Sequence, residues 1–214
     1  MQTSLAETYF IDHGNPAIQS WVDERLKGES DVEKAISLYL AVRDEIRYDP
    51  FSISFEREWL QASSLIESGK GHCIAKAIFL AASLRHAGIP SRVGLAKVLN
   101  HMGAEEFERI LRTNVLVPHG YTEVFLDDKW VKCTPAFNRT LCEFLGVTPL
   151  EFDGQQDSIF QEYDRSGADF MEYVEDYGGF DDVPFDLILE LFQKEYPHLF
   201  DEDGNPDLTT LTRR

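Results

Sequence analysis

Cysteine is scarce in this chain: Cys73, Cys133 and Cys142 are the only three among 214 residues. An odd number at irregular spacing excludes a disulfide framework, leaves at least one free thiol and fits a reducing compartment. No CxxC pair occurs, and the spacing of Cys133, Cys142 and the histidines matches no usual zinc-ligand pattern, so neither a metal nor another cofactor is expected. Basic residues are also few, 20 against 38 acidic ones, for a formal net charge of −18. Such a field repels phosphates, which argues against nucleic acid or an anionic membrane as a partner. There is no run of about 18 apolar residues, and the N-terminus lacks a basic segment followed by a continuous apolar one; both absences predict a soluble, cytoplasmic protein. Internal repeats, low-complexity tracts and Gly/Ser- or Pro-rich spacers are missing as well.

What is present suffices for a core. With 43% hydrophobic and 12% aromatic residues, the chain is expected to form one domain, or one domain with an appended C-terminal part. Charge supplies the boundary. Residues 1–142 carry 19 acidic and 16 basic residues, whereas 143–214 carry 19 and 4, so the division is read as 1–142 for the core and 143–214 for an acidic, aromatic extension packed on it. Apolar spacing predicts helices over 16–27 and 31–46, the second capped by Ser30 or Asp31, and a short helix before Gly69. The C-terminal segment is read as two short helices, near 167–177 and 184–196.

The stretch ESGKGHCIAKAIFLAASLRHAGIP, residues 67–90, predicts a central helix that is apolar almost all round and ends at Gly88 and Pro90. Cys73 falls in its first turn, where unpaired N–H groups and the helix dipole stabilise a thiolate. By itself the stretch favours the plainer reading, a buried structural thiol in an apolar helix. Residues 91–99 suggest a strand, 103–113 a connecting helix, and 114–134 a hairpin. A two-residue turn at Asp127 and Asp128 would pair Phe125 with Trp130, Val124 with Val131 and Glu123 with Lys132. In that register His119 shares a face with Tyr121, Glu123 and Thr134, while Cys133 faces the other way. A strand-borne histidine facing the N-terminus of a buried helix is the geometry a thiolate–imidazolium pair requires.

The blocks SGKGHC with AKAIFLAASLRHAGIPSRV, and then HGYTEVFLDDKWVKCTPAF, resemble the two core blocks of the transglutaminase-like superfamily, papain-related Cys-His-Asp enzymes. The resemblance covers roughly residues 40–138. It implies an α+β, papain-like or transglutaminase-like core in which a central helix carrying the cysteine packs on an antiparallel sheet carrying the histidine. It places the family nucleophile on Cys73 and the family histidine on His119. The tail FMEYVEDYGGFDDVPFD is similar to a C-terminal feature of a bacterial branch of the family. Where the family has an aspartate, this chain reads Thr134. The orienting role is therefore open to the Thr134 hydroxyl, to the amide oxygen of Asn138, or to an acid from the tail. The implied function is acyl transfer from a peptide, protein or other amide substrate, with hydrolysis preferred. The alternatives are a binding module that keeps the fold without catalysis and, disfavoured by spacing, a zinc-binding interaction protein. Oligomeric state is left open.

Other residues receive plainer readings. Trp59 is expected in the core, His72 at the surface or as a cap, and Glu123 opposite Lys132, because about 13 Å of strand separates it from His119. The run at 201–207 lacks the glycine position and the final glutamate of a calcium loop and reads as an exposed turn.

Overall fold

A computed structural model of the chain describes residues 2–101 and 105–206. The helices that open the chain form where the sequence caps them. Asn15 accepts from the Ala17 N–H ahead of α1 (Pro16–Asp23). Ser30 and Glu33 form a reciprocal capping box at the start of α2 (Asp31–Glu45), which satisfies N–H groups that the helix itself leaves free. A two-residue strand β1 (Arg47–Tyr48) follows, then α3 (Ala62–Ser68), closed by Gly69 in the left-handed conformation with φ 62°, where a side chain would be strained. A second short strand β2 (Lys70–Gly71) pairs in parallel with β1 and delivers the chain into α4 (Cys73–His86).

The centre of the molecule is α4. Ile74, Ile78, Phe79, Leu80 and Leu84 are all buried, as are the small residues Ala77, Ala81 and Ala82, so contacts with α1, α2 and α3 on one side and the sheet on the other leave no face to solvent. Each large side chain contributes about 1.5–3 kcal/mol by leaving water. One polar residue is embedded among them. Lys76 is fully buried, and its Nζ donates to the carbonyl oxygens of Arg43, Ile46 and Ala136 at 2.9, 2.6 and 2.9 Å. Three acceptors use all three ammonium protons, which offsets the cost of taking the charge out of water. The lysine thereby ties the end of α2 to the segment after the hairpin.

The sheet has the order β5-β4-β3-β6 and is antiparallel throughout. Its strands are β3 (Ser91–Asn100), β4 (Val115–Leu126), β5 (Lys129–Cys133) and β6 (Met171–Phe180), with α5 (Glu105–Leu111) between β3 and β4. The hairpin register is the expected one, Phe125 with Trp130, Val124 with Val131 and Glu123 with Lys132. Asp127 and Asp128 both have positive φ, 47° and 64°, as a tight two-residue hairpin turn demands. Irregular registers around Ala96 and Val98 curl the sheet.

The C-terminal segment departs from its reading in one respect. The stretch expected to be a helix near 167–177 is strand β6, paired with β3 along its outer edge. Phe170, Tyr173, Val174 and Tyr177 have helical spacing, but the open edge of β3 offers a full ladder of hydrogen bonds, and that long-range pairing overrides local periodicity. Between the hairpin and β6 lies α6 (Arg139–Leu145), and α7 (Phe185–Glu195), the expected second helix, closes the core with Phe185, Ile188, Leu191 and Phe192. Of the 201–207 run, Asp207 lies outside the described residues. The rest turns about the Asp201 carboxylate, which accepts from the N–H groups of Asp203 and Asn205. Trp59 is another correction: it stands in a short 3₁₀ turn, is 55% exposed and lines an open recess with Ser64, Leu65 and Ala75 instead of packing in the core. Among the described residues, no helix is long and apolar enough to cross a membrane.

Candidate active site

Cys73 is the first residue of α4, and the residue before it makes that start possible. His72 is the N-cap; its Nδ1 accepts from the Ile74 and Ala75 N–H groups at 3.2 and 3.4 Å. It is buried, so the expected cap role holds and the surface position does not. Burial pushes its pKa down to about 4, against a smaller opposing pull from Asp49, so the ring is neutral and free to accept.

His119 lies on β4 opposite Ala96 of β3. Its neighbour Gly120 is where strand and helix touch: a Cβ there would stand 2.6 Å from the Ile74 Cα. Only glycine allows this approach. The contact sets the Gly120 N–H against the Cys73 sulfur, which also meets the Ile74 N–H. Burial raises the thiol pKa and these donors draw it back part of the way, leaving it above its ordinary value. Burial alone acts on His119, lowering it to about 4. Burial thus favours the neutral form of both groups, thiol and imidazole.

Cys73 and His119 line the same cavity, a space of about 60 Å³. The rest of its wall is almost wholly apolar, including Phe51, Ile53, Leu111, Val117 and Phe192. Tyr48 closes one side; the Tyr196 hydroxyl is occupied, accepting from the Val117 N–H and donating to the Val115 carbonyl, both at 2.8 Å. A larger recess of about 530 Å³ adjoins at His72 and Ile53 and holds Trp59, Lys70 and several serines.

The candidates for the orienting role have separate environments. Thr134 is buried next to His119 in a second, small cavity; its Oγ1 has no hydrogen-bond partner among the described residues, although its N–H and carbonyl are bonded to Ser158 and Tyr39. Asn138 is also buried, but its amide is engaged with the backbone. The oxygen accepts from the Tyr48 N–H at 2.6 Å, and the NH2 donates to the carbonyls of Arg43 and Ile46. Those bonds anchor β1 beside the site. No tail carboxylate shifts the His119 pKa. One residue beside His119 escaped the sequence reading: Gln161, buried in the small cavity with Thr134. It lies in irregular chain between α6 and β6, where neither periodicity nor motif marks it.

The remaining candidates fall outside the site. Cys133 pairs with Thr122 on the face away from His119 and is fully buried, as is Cys142; all three thiols are free. Glu123 lies opposite Lys132 as expected, yet the Lys132 ammonium reaches Asp176 on β6, and Glu123 has Arg92 at 3.9 Å. Among the described residues no group of three or more His, Cys, Asp or Glu side chains is placed to hold a metal ion.

Two solved structures resemble the chain. One bears the name "putative cysteine protease", from Cytophaga hutchinsonii, at 12% identity and a TM-score of 0.48 over 83% of this chain and 53% of its own. The other, a "putative protease" from Parabacteroides distasonis, is 18% identical with a TM-score of 0.35, over 54% of this chain and 25% of its own. The chain thus spans about half the length of the first and a quarter of the second. No curated protein matches it. The transglutaminase-like superfamily model matches residues 19–135, more than half of the sequence and both blocks that carry Cys73 and His119, and the chain belongs to that superfamily.

Proposed function

We propose that the protein is a cysteine-dependent acyl-transfer enzyme that hydrolyses an amide or peptide bond through a thioester, with Cys73 as nucleophile and His119 as base and then acid. The observation that carries this reading is the shared cavity: the thiol at the start of a buried helix and the imidazole of the adjoining strand open onto one space large enough for a small group.

The chemistry follows from the resting state. The imidazole takes the thiol proton as the sulfur attacks the carbonyl carbon, so charge separates only when the bond forms. The Cys73 N–H at the helix start faces the developing oxyanion. Collapse breaks the C–N bond, and the imidazolium returns its proton to the departing amine. Water then attacks the thioester, losing a proton to His119, and the carboxylic acid leaves as the thiol re-forms. Apolar walls favour an apolar group on the acyl side of the scissile bond. Hydrolysis is preferred over transfer because no second amine site is identified.

The test is a library of peptides and acyl amides followed by mass spectrometry, with Cys73→Ala and His119→Ala as controls. Cleavage lost in both variants is the expected result; incorporation of an added amine without hydrolysis overturns the hydrolytic part. A second reading, a binding module without catalysis, draws on Thr134 standing where the family has an acid. It predicts a Cys73 thiol with no unusual reactivity toward iodoacetamide and no dependence on His119.

A further inference from the structure

The small cavity behind His119 has a volume of about 10 Å³, the size of one water molecule. Phe137 and Met171 line it together with three residues that carry polar side chains, His119, Thr134 and Gln161. Thr134 is 3% exposed and its hydroxyl has no partner among the described residues. Leaving a buried hydroxyl unbonded costs stability, because it has given up its hydrogen bonds to water. Gln161 is held from two sides, its carbonyl accepting from the Met171 N–H at 3.1 Å and its NH2 directed at the Cys142 sulfur at 3.7 Å. Its amide oxygen takes part in neither of these bonds. A buried water needs two to four polar partners, and this space offers three.

We propose that Thr134 and Gln161 hold one water molecule against the His119 imidazole, and that this neutral bridge, in place of a carboxylate, fixes the tautomer and tilt of the ring. Both are positioning residues that act through His119, so the inference rests on the role given to that residue above. A neutral bridge accepts or donates one hydrogen bond without stabilising the imidazolium. That agrees with a His119 pKa that burial alone sets, at about 4. Gln161 belongs to chain beyond the family-matched residues, so the C-terminal segment would complete the site and not merely cover it.

The experiment is iodoacetamide alkylation of the full chain across pH 5–9, with the labelled residue located by mass spectrometry and the urea midpoint measured alongside. Thr134→Val and Gln161→Ala are expected to slow Cys73 labelling at pH 8 by about tenfold or more, with Thr134→Ser near the parent rate. Thr134→Asp is expected to shift the labelling profile by about one pH unit or more, because a carboxylate favours the imidazolium. If the hydroxyl is only an orphan, Thr134→Val leaves labelling unchanged and raises the urea midpoint, and the proposal falls while the Cys73–His119 pair stands. A parent Cys73 whose labelling ignores His119→Ala removes the pair itself, a failure of the earlier reading that takes this one with it.

Discussion

Residues 19–135, which match the superfamily, and the chain beyond 142 are built on different principles. The first is close to charge balance and supplies α4, β3, β4 and β5 with the cysteine and the histidine. The second carries most of the net negative charge, yet it buries Phe170, Phe185, Phe192 and Tyr196, and it adds the fourth strand. Its acids point outward while its aromatics close the site cavity and the β3 edge. High charge therefore marks a surface here, not an independent tail.

The strongest way to break the comparison is to stop the chain after Cys142. This exposes the β3 edge and uncovers the apolar wall that α7 covers, and we expect loss of cooperative unfolding with aggregation, read by urea titration and gel filtration. If the remainder folds as a stable monomer, the two segments are separable after all.

Within the matched segment, Gly120→Ala is expected to cost about 1–3 kcal/mol, since its methyl would meet backbone rather than a movable side chain. It should also slow the labelling of Cys73 by moving the helix start off the strand. Lys76→Met should cost about 1–3 kcal/mol, because it takes the ammonium from the buried Ala136 carbonyl, whereas the Arg43 and Ile46 carbonyls keep the Asn138 NH2; urea midpoints measure both.

Acid sharpens the same contrast. His72 and His119 are buried and held near pKa 4, below the ordinary 6.5. The unfolded chain therefore binds protons that the folded chain refuses, and these two groups should reduce stability as pH falls from 6.5 to 4. His119→Asn should flatten that part of the pH–stability curve. The smallest effect belongs to the outer face: Asp176→Asn weakens a partly exposed contact with Lys132 and should change stability by about 1 kcal/mol or less.

Much of the core was legible in order of sequence. Side-chain chemistry gave the hairpin register, since Phe125 against Trp130 and the two turn aspartates act over a few residues. Capping and periodicity located α2 and α4 for the same reason. The misreadings share a cause. Strand β6 exists because β3 has a free edge, and Trp59 is exposed because its turn stands over a recess bounded by α3 and the start of α4. Neither fact is local.

By itself the sequence determined the α+β character, the helix that Cys73 opens, the strand that carries His119, and an acidic surface, because capping, alternation and charge are properties of neighbouring residues. Only the tertiary structure decided that Gly120 lies against Ile74, that one apolar cavity receives both Cys73 and His119, that Asn138 is engaged with the end of α2, and that Gln161 stands beside Thr134. Those are contacts across tens of residues, chosen by packing and by the need to satisfy buried polar groups once the chain has closed on itself.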